Sequence, residues 1–360
     1  MGIEKAIQMY LVSFIVPVYN LNKEELDYCI KSIAQQSVHD YEVIIVDDGS
    51  NDVIARYCDE LALQYGFRVI HQDNSGLAVA RNTGMAAAEG KWIVHVDGDD
   101  WISSDLVESI QDVDDSNTDV IVWGYYYCNK GCQLHYLLDC KSRFNNDIEH
   151  IRESILCAIL GCDNSYASLA LNTSWGKAYS RSFINEKKLY YDNKLRRAQD
   201  AVYNLYVFSE VRKVKYIDKA LSFYRADNIS LSRGYNPKTF DYLTFTAKAV
   251  IDFSEMKKPS PRVAKGVDVF IMRCFRIINN QFFQHPDNRA SYKERKRMFM
   301  NAINSYPYKD AFSHHVYRNG LLNHISDFLY IHRCFALIPL YDKLRDRLRN
   351  VKNNLLVFHS

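Results

Sequence analysis

Glycine is scarce in this chain, 14 of 360 residues, whereas tyrosine is abundant at 26. That balance leaves little material for flexible linkers and favours a packed fold with aromatic-lined surfaces. An excess of one charge is missing too: 45 basic and 43 acidic residues leave a net charge of +2, so no global field points to nucleic acid. The nine cysteines contain no CxxC pair, and no His stands at finger spacing from Cys128, Cys132 and Cys140, which argues against zinc. Scattered free thiols suit a reducing compartment. Long hydrophobic runs are absent: Ile7 to Val18 is broken by Gln8, Ser13 and Pro17 and has no small-residue cleavage site. Neither a signal peptide nor a spanning helix is expected, which makes the cytoplasm the default location. Both phosphate-cradling glycine patterns are missing, GxGxxG after a strand and GxxxxGK[ST], and no repeat period is evident.

What is present reads as a globular chain, 48% hydrophobic and 24% charged, long enough for one large domain or two ordinary ones. Its first hundred residues alternate between two periods. Apolar runs at Leu11 to Val16, Tyr41 to Val46, Phe67 to Ile70 and Trp92 to Val96 predict strands. Between them, Glu24 to Gln36, the stretch after Asn51-Asp52, and Gly76 to Ala88 carry apolar residues at helical spacing. Strands alternating with helices imply a mostly parallel sheet covered on both faces.

In such sheets ligands bind beyond the carboxyl ends of the strands. Three of the four strands end there in polar clusters: Pro17-Val-Tyr-Asn20, Asp47-Asp-Gly-Ser50 and Asp97-Gly-Asp-Asp100. The last packs three carboxylates into four positions, a repulsion that a cation or a hydrogen-bonding ligand would relieve. These residue types suit a nucleotide-sugar. Asp48 can accept from a base N–H or a ribose hydroxyl, and Tyr19 offers a ring face. Arg81, near a helix start, can meet phosphate or carboxylate with two N–H groups. Asp99 can hold Mg²⁺ or Mn²⁺ against a diphosphate, and Asp97 can reach ribose or metal. Plainer roles exist for each: Asp48 as a turn cap, Arg81 as a solvated residue or a partner for Asp99, Asp47 as structural. Asp100 and Trp101 are expected to cap and pack the next helix.

These four segments, Pro17-Val-Tyr-Asn20, Asp47-Asp-Gly-Ser50, Ala80-Arg-Asn-Thr-Gly84 and Asp97-Gly-Asp-Asp100, in this order and spacing, resemble the family 2 inverting glycosyltransferases of GT-A fold. The resemblance is firm over residues 11–115. It implies an α/β fold, a Rossmann-like sheet flanked by helices, here followed by an all-helical C-terminal extension. It also implies Asp48 at the nucleobase, Asp97 near the ribose and Asp99 on Mg²⁺ or Mn²⁺. With Pro17, Tyr19, Asn20, Arg81 and Arg225 these form the expected donor site. The expected domains are residues 10–235, divided at 115/116 into nucleotide-sugar and acceptor halves, and a helical region 236–360.

Further along, Thr118 to Tyr127 predicts an aromatic strand, 131–146 a hairpin or loop, and Ile148 to Leu160 a helix. Asn172-Thr-Ser-Trp-Gly-Lys-Ala-Tyr179 resembles the family segment that delivers a Trp and a Lys ahead of the base, so Trp175 and Lys177 are expected at the acceptor, although a core Trp fits equally. Leu195-Arg-Arg-Ala-Gln-Asp200 matches the family position of the general base with Asp200. The family's usual Glu before it is Gln199 here, which keeps hydrogen bonds but drops a charge. Asp200 can also serve as a helix cap. Val214 to Ile217 reads as an edge strand and Ala220 to Arg225 as another, with Arg225 and Ser230 or Ser232 similar to a family element that closes on the diphosphate.

The expected activity is transfer of a sugar, most simply from a UDP-sugar, to a hydroxyl of a glycan or lipid-linked acceptor in cell-surface polysaccharide synthesis. The other reading is a catalytically impaired sugar-nucleotide-binding or partner-binding protein on the same fold. Beyond Pro237 the pattern is helical. In the tail, Tyr341, Leu344, Leu348, Val351 and Leu355 recur at three- and four-residue steps beside Lys343, Arg345, Arg347, Arg349 and Lys352. Such a helix can lie on an anionic membrane surface or pack on its own domain.

Overall fold

The computed structural model of the chain describes residues 10–129, 132–136, 148–163, 166, 169–226, 234–318 and 320–357. The chain divides into two compact units, Met1–Ile159 with Asp163–Ile229, and Leu160–Cys162 with Ser230–Ser360.

The first unit opens with the predicted alternation: β1 (Val12–Val18), α1 (Lys23–Ala34), β2 (Tyr41–Asp48), α2 (Asp52–Tyr65), β3 (Arg68–Gln72), α3 (Leu77–Ala87) and β4 (Trp92–His95). Every residue of β1 is buried, as befits a strand covered on both faces. Val12, Phe14, Val16 and Val18 share a core with Leu26, Cys29 and Ile30 of α1. The turns are closed by side chains. Asn22 caps α1, and Asn51 caps α2 by accepting from Val53 N and Ile54 N, as its position suggested.

There follow β5 (Trp101–Ile102), α4 (Leu106–Val113), β6 (Val120–Asn129), β7 (Cys132–Tyr136), α5 (Ile148–Leu160), β8 (Lys177–Ser180), α6 (Arg181–Lys187), α7 (Gln199–Glu210) and β9 (Val214–Arg225). The nine strands among the described residues join one sheet in the order β3-β2-β1-β4-β8-β6-β9-β5, with β7 beside β6. β1 to β4 are mutually parallel where they pair; β8 lies antiparallel to both β4 and β6, and β9 runs parallel to β6.

Several expectations need correction. The two strands read at 214–217 and 220–225 are one continuous β9, whose end pairs with β6 on one side and β5 on the other. A register shift at Trp123, Gly124 and Tyr125 of β6 takes up the residues between, which broke the apparent pattern. β5 and β8 are only two and four residues long, too short to leave a period. The hairpin expected at 131–146 begins with β7, and the remainder lies outside the described residues, as does Cys140.

The second unit is helical, as expected: α8 (Thr239–Lys257), α9 (Pro261–Ile278) continued by a π-turn at Asn279–Phe283, α10 (Tyr292–Ile303), α11 (Tyr308–Ser313), α12 (Leu321–Ile331) and α13 (Ile338–Val357). Phe275 anchors it, with rings of Phe283, Phe299, Tyr308, Phe312 and Tyr330 around it. No helix among the described residues is long and apolar enough to cross a membrane.

Candidate active site

The carboxyl ends of β1, β2 and β4 meet at one edge of the sheet, and their loops are locked together. After β1, Asn20 takes φ +47°, and its Oδ1 accepts from Asn51 N and Nδ2, both at 2.8 Å, while its own N–H donates to Ser50 Oγ at 3.0 Å. Asn thus tolerates the left-handed backbone and ties two loops at once. Pro17 is buried at the strand end and Tyr19 stands beyond it, 46% exposed, with its ring available to a ligand.

Asp48 ends β2 and is buried. Its Oδ1 accepts from Gln72 Nε2 at 2.7 Å and Ser75 N at 2.8 Å, and its Oδ2 from Gly76 N at 2.7 Å. The carboxylate therefore organises the loop that opens α3; capping of the turn at Gly49, weighed above for Asp48, falls to Asp47 instead. Asp47 is structural as read, with Oδ1 accepting from Ser50 N and Oδ2 lying 2.8 Å from His71 Nδ1.

Arg81 on α3 is 1% exposed, not a solvated helix residue. Its Nη2 donates to Asp97 Oδ1 at 2.7 Å; the partner is Asp97 and not Asp99. Its Nε and Nη1 find no acceptor among the described residues. Tyr191 lies under the guanidinium, 5.5 Å from Cζ to the ring centroid.

Gly98 lets the acidic turn pack close to the end of β1, since a Cβ there would come within 2.5 Å of Leu21 Cδ1 and 3.4 Å of Pro17 O. Burial, then the neighbouring Asp97, pushes Asp99 up to about 6. Burial, then Asp99 and Asp97, pushes Asp100 well above the usual carboxylate range. Asp100 does not cap α4: its Oδ1 accepts from Arg225 N at 2.8 Å, and Arg225 Nε donates to Asp99 O at 2.9 Å. Trp101 belongs to β5, stacked at 5.4 Å on Phe223, with the Arg225 guanidinium 5.1 Å from its ring centroid. Arg225 thus braces the acidic turn from β9. Ser230 and Ser232 lie outside the described residues.

The second constellation reaches the same place. Asp200 is the second residue of α7, so the capping position falls to Ala198, held at φ +51°. Burial raises the pKa of Asp200; Arg81 opposes this and Asp97 reinforces it, so all three sense one another. Gln199 is buried beside it. Asn204 Nδ2 donates to Asp200 O and to Thr173 O, and Tyr179 OH donates to Asn204 Oδ1 at 2.8 Å. Lys177 has no exposed surface: its Nζ donates to Ala170 O, Thr173 O and Trp175 O at 3.0, 2.7 and 2.9 Å. It shapes the 170–175 turn from beneath and presents nothing outward. Trp175 packs edge-on to Tyr125 at 4.9 Å and stacks on Tyr224 at 5.6 Å, a largely core setting.

Sequence reasoning missed the layer behind these residues. His95, at the end of β4, is 1% exposed between Tyr179 and Tyr191, with both ring nitrogens lacking a partner among the described residues. Burial, then Arg81 and Lys177, holds it neutral, well below its ordinary pKa. Tyr191 stacks on Tyr203 at 4.0 Å. A lone His in an apolar strand gives no signal beyond core packing. Asn82 was inside a quoted motif without a role; it holds Tyr191, through Oδ1 accepting from its N–H at 2.9 Å.

The arrangement gathers an exposed ring face, a buried guanidinium, three crowded acids and a fourth carboxylate that senses Arg81 and Asp97. The family model for glycosyl transferase family 2 matches residues 13–174. The uncharacterized glycosyltransferase EpsJ of Bacillus subtilis (strain 168) is 30% identical over 274 residues, 73% of this chain and 75% of that protein. The chain belongs to glycosyltransferase family 2 and is a glycosyltransferase. Among solved structures, S. aureus TarS 1-349 in complex with UDP-GlcNAc aligns over 93% of this chain and 91% of that one, with a TM-score of 0.58 and 15% identity. The mannosyltransferase PcManGT of Pyrobaculum calidifontis, in complex with GDP-Man and Mn2+, aligns over 93% and 88%, with a TM-score of 0.51 and 13% identity. At these identities the two establish the GT-A fold.

Proposed function

We propose that the chain transfers a sugar, with inversion, from a nucleoside-diphosphate donor to a hydroxyl of a glycan or lipid-linked acceptor. One observation carries this reading: Asp200, a hundred residues beyond the acidic turn, shares the field of Arg81 with Asp97. Transfer in one step needs a carboxylate facing the donor's anomeric carbon from the side away from the leaving diphosphate. Asp200 takes the acceptor proton; its partial burial strengthens it as a base, and Arg81 limits that rise by favouring the ionised form. Asp48, Tyr19, Asn20 and Pro17 frame the nucleobase end, Asp97 the ribose, and Arg225 the diphosphate. The TarS complex with UDP-GlcNAc supports UDP-sugars as the first donors to try.

A divalent cation fits the acidic turn, with one qualification. Among the described residues no group of three His, Cys, Asp or Glu side chains forms a complete protein cage. Asp99, raised by burial and by Asp97, is instead a hard oxygen donor beside two further carboxylates, suited to a cation shared with phosphate oxygens. Mg²⁺ or Mn²⁺ there would neutralise the charge of the departing nucleoside diphosphate. The PcManGT complex with Mn2+ supports this reading.

A thermal-shift panel of UDP-, GDP- and dTDP-sugars with and without Mn²⁺ tests the donor reading. One nucleotide class raises the melting temperature only when Mn²⁺ is present; no shift with any of them contradicts it.

In the second unit, Leu340, Leu344 and Leu348 of α13 are exposed at four-residue steps beside exposed Lys343 and Arg347. This face suits peripheral contact with an anionic membrane. The double substitution Leu344→Asp, Leu348→Asp is expected to abolish co-sedimentation with vesicles containing anionic lipid; equal sedimentation removes the membrane role.

A further inference from the structure

The segment leading to Asp200 is fastened at two points, one on helix α3 and one on the loop before it. Asn82 of α3 holds the first point. Its Nδ2 donates to Tyr191 O and Asn193 Oδ1, both at 2.8 Å, and its Oδ1 accepts from Tyr191 N at 2.9 Å. A turn follows, closed by Leu195 N donating to Asp192 O at 3.0 Å, with the Leu195 side chain buried. Arg196 makes the second point: its Nη1 donates to Ser75 O.

The second fastening is built into the nucleotide loop. Gly76, the residue before α3, takes φ +90°, and a Cβ on it would lie 2.9 Å from Arg196 Cζ. The guanidinium thus occupies the space of a side chain at position 76, which only glycine leaves open. The N–H groups of Ser75 and Gly76 are held by Asp48, while the Ser75 carbonyl is held by Arg196. One short loop therefore joins the residue placed at the nucleobase to the strand of chain before the base. Two residues beyond Arg196, Ala198 sits at φ +51°, a conformation that a residue with a Cβ keeps only when its surroundings enforce it.

We propose that Arg196 is a positioning residue: it couples the Asp48-held nucleotide loop to the segment that places Asp200, so that donor binding sets the base. This rests on reading Asp200 as the base and goes beyond it. Occupancy at Asp48 is felt by the Ser75–Gly76 peptide, and Arg196 passes it to the backbone at Ala198. Coupling of this kind is reciprocal, so loosening the segment also weakens the response to nucleotide.

The test uses the full chain, with UDP plus Mn²⁺ as the probe and hydrogen exchange of residues 191–199 as the readout. In the parent, UDP slows exchange of this segment by about fivefold or more. In Arg196→Ala that protection is lost, while UDP affinity stays within about threefold. With UDP-GlcNAc as donor probe, kcat falls about tenfold and the donor KM changes little, because the base is misplaced and not removed. Arg196→Lys, which can still donate once to Ser75 O, restores part of both effects. Gly76→Ala should displace the guanidinium, so adding Arg196→Ala to it costs nothing further. UDP-dependent protection that survives in Arg196→Ala overturns the proposal, as does full additivity of the two substitutions. Should Asp200→Asn turn over like the parent, the base reading fails, and the exchange experiment still decides the coupling.

Discussion

Asp200→Asn is expected to lower sugar transfer by about 10²–10⁴-fold while donor binding stays within a few-fold of the parent. Asn is nearly the same size and can still accept from Ala201 N, as Asp200 Oδ1 does at 3.1 Å, so helix α7 keeps its first turn. What it cannot do is take a proton. The loss therefore falls on kcat, with little change in the donor KM. The pH profile carries the same signature. Burial raises the Asp200 pKa from its ordinary value, with Arg81 opposing, and the active form is the ionised one. Activity should rise with pH through that elevated value, and the acid limb should vanish in the variant. Initial rates of nucleotide release across pH 4–8 measure both. Equal turnover in the variant removes Asp200 as base. A parent that binds donor but never turns over supports the impaired reading, for which Gln199 in the place of the family's Glu is the motive.

Asp99→Asn has a second large effect, on metal and on stability together. Donor binding in the variant should lose its dependence on Mn²⁺, because the hard anionic donor is gone. Stability moves the other way in the absence of metal. Asp99 is raised from 3.8 to about 6, so the folded chain holds this proton more tightly than the unfolded chain. As pH rises from about 4 to 6 the unfolded state loses its proton first, and stability falls; above about 6 the full penalty is present. Asp100 is shifted in the same direction and adds to the slope. The metal-free parent should therefore melt lower at pH 7 than at pH 5, Mn²⁺ with UDP should recover the difference, and Asp99→Asn should reduce the slope to the part that Asp100 supplies. Melting curves at several pH values, with and without Mn²⁺, decide this. A parent profile already flat between pH 4 and 7 contradicts the account of the acidic turn.

Much of the first hundred residues was legible because their local chemistry and their tertiary setting agree. The strands before Pro17, Asp47 and Asp97 are apolar runs closed by turn residues, and Asn51 caps α2 as an Asn at that position should. The acidic turn announced its own need for compensation. Less legible were interactions whose partners lie far apart in sequence. Arg81 pairs with Asp97 and not Asp99, a matter of tertiary packing that spacing does not encode. Asp100 answers to the backbone of Arg225, 125 residues away. Lys177 reads as an outward cation, yet three carbonyls of the 170–175 turn enclose it. β5 and β8 are too short for any period, and β9 hid behind a register shift. Arg196 gave no signal at all, since its meaning comes from Gly76 across α3.

Anomalous diffraction at the manganese edge, from crystals grown with UDP and Mn²⁺, bears most directly on the central claim that the acidic turn and the strand ends form one nucleotide-sugar site. The expected result is a single peak within roughly 2.5 Å of an Asp99 carboxylate oxygen, with the uracil beside Asp48 and Tyr19 and the diphosphate between that peak and Arg225. A peak elsewhere, or UDP bound away from the ends of β1, β2 and β4, would contradict it.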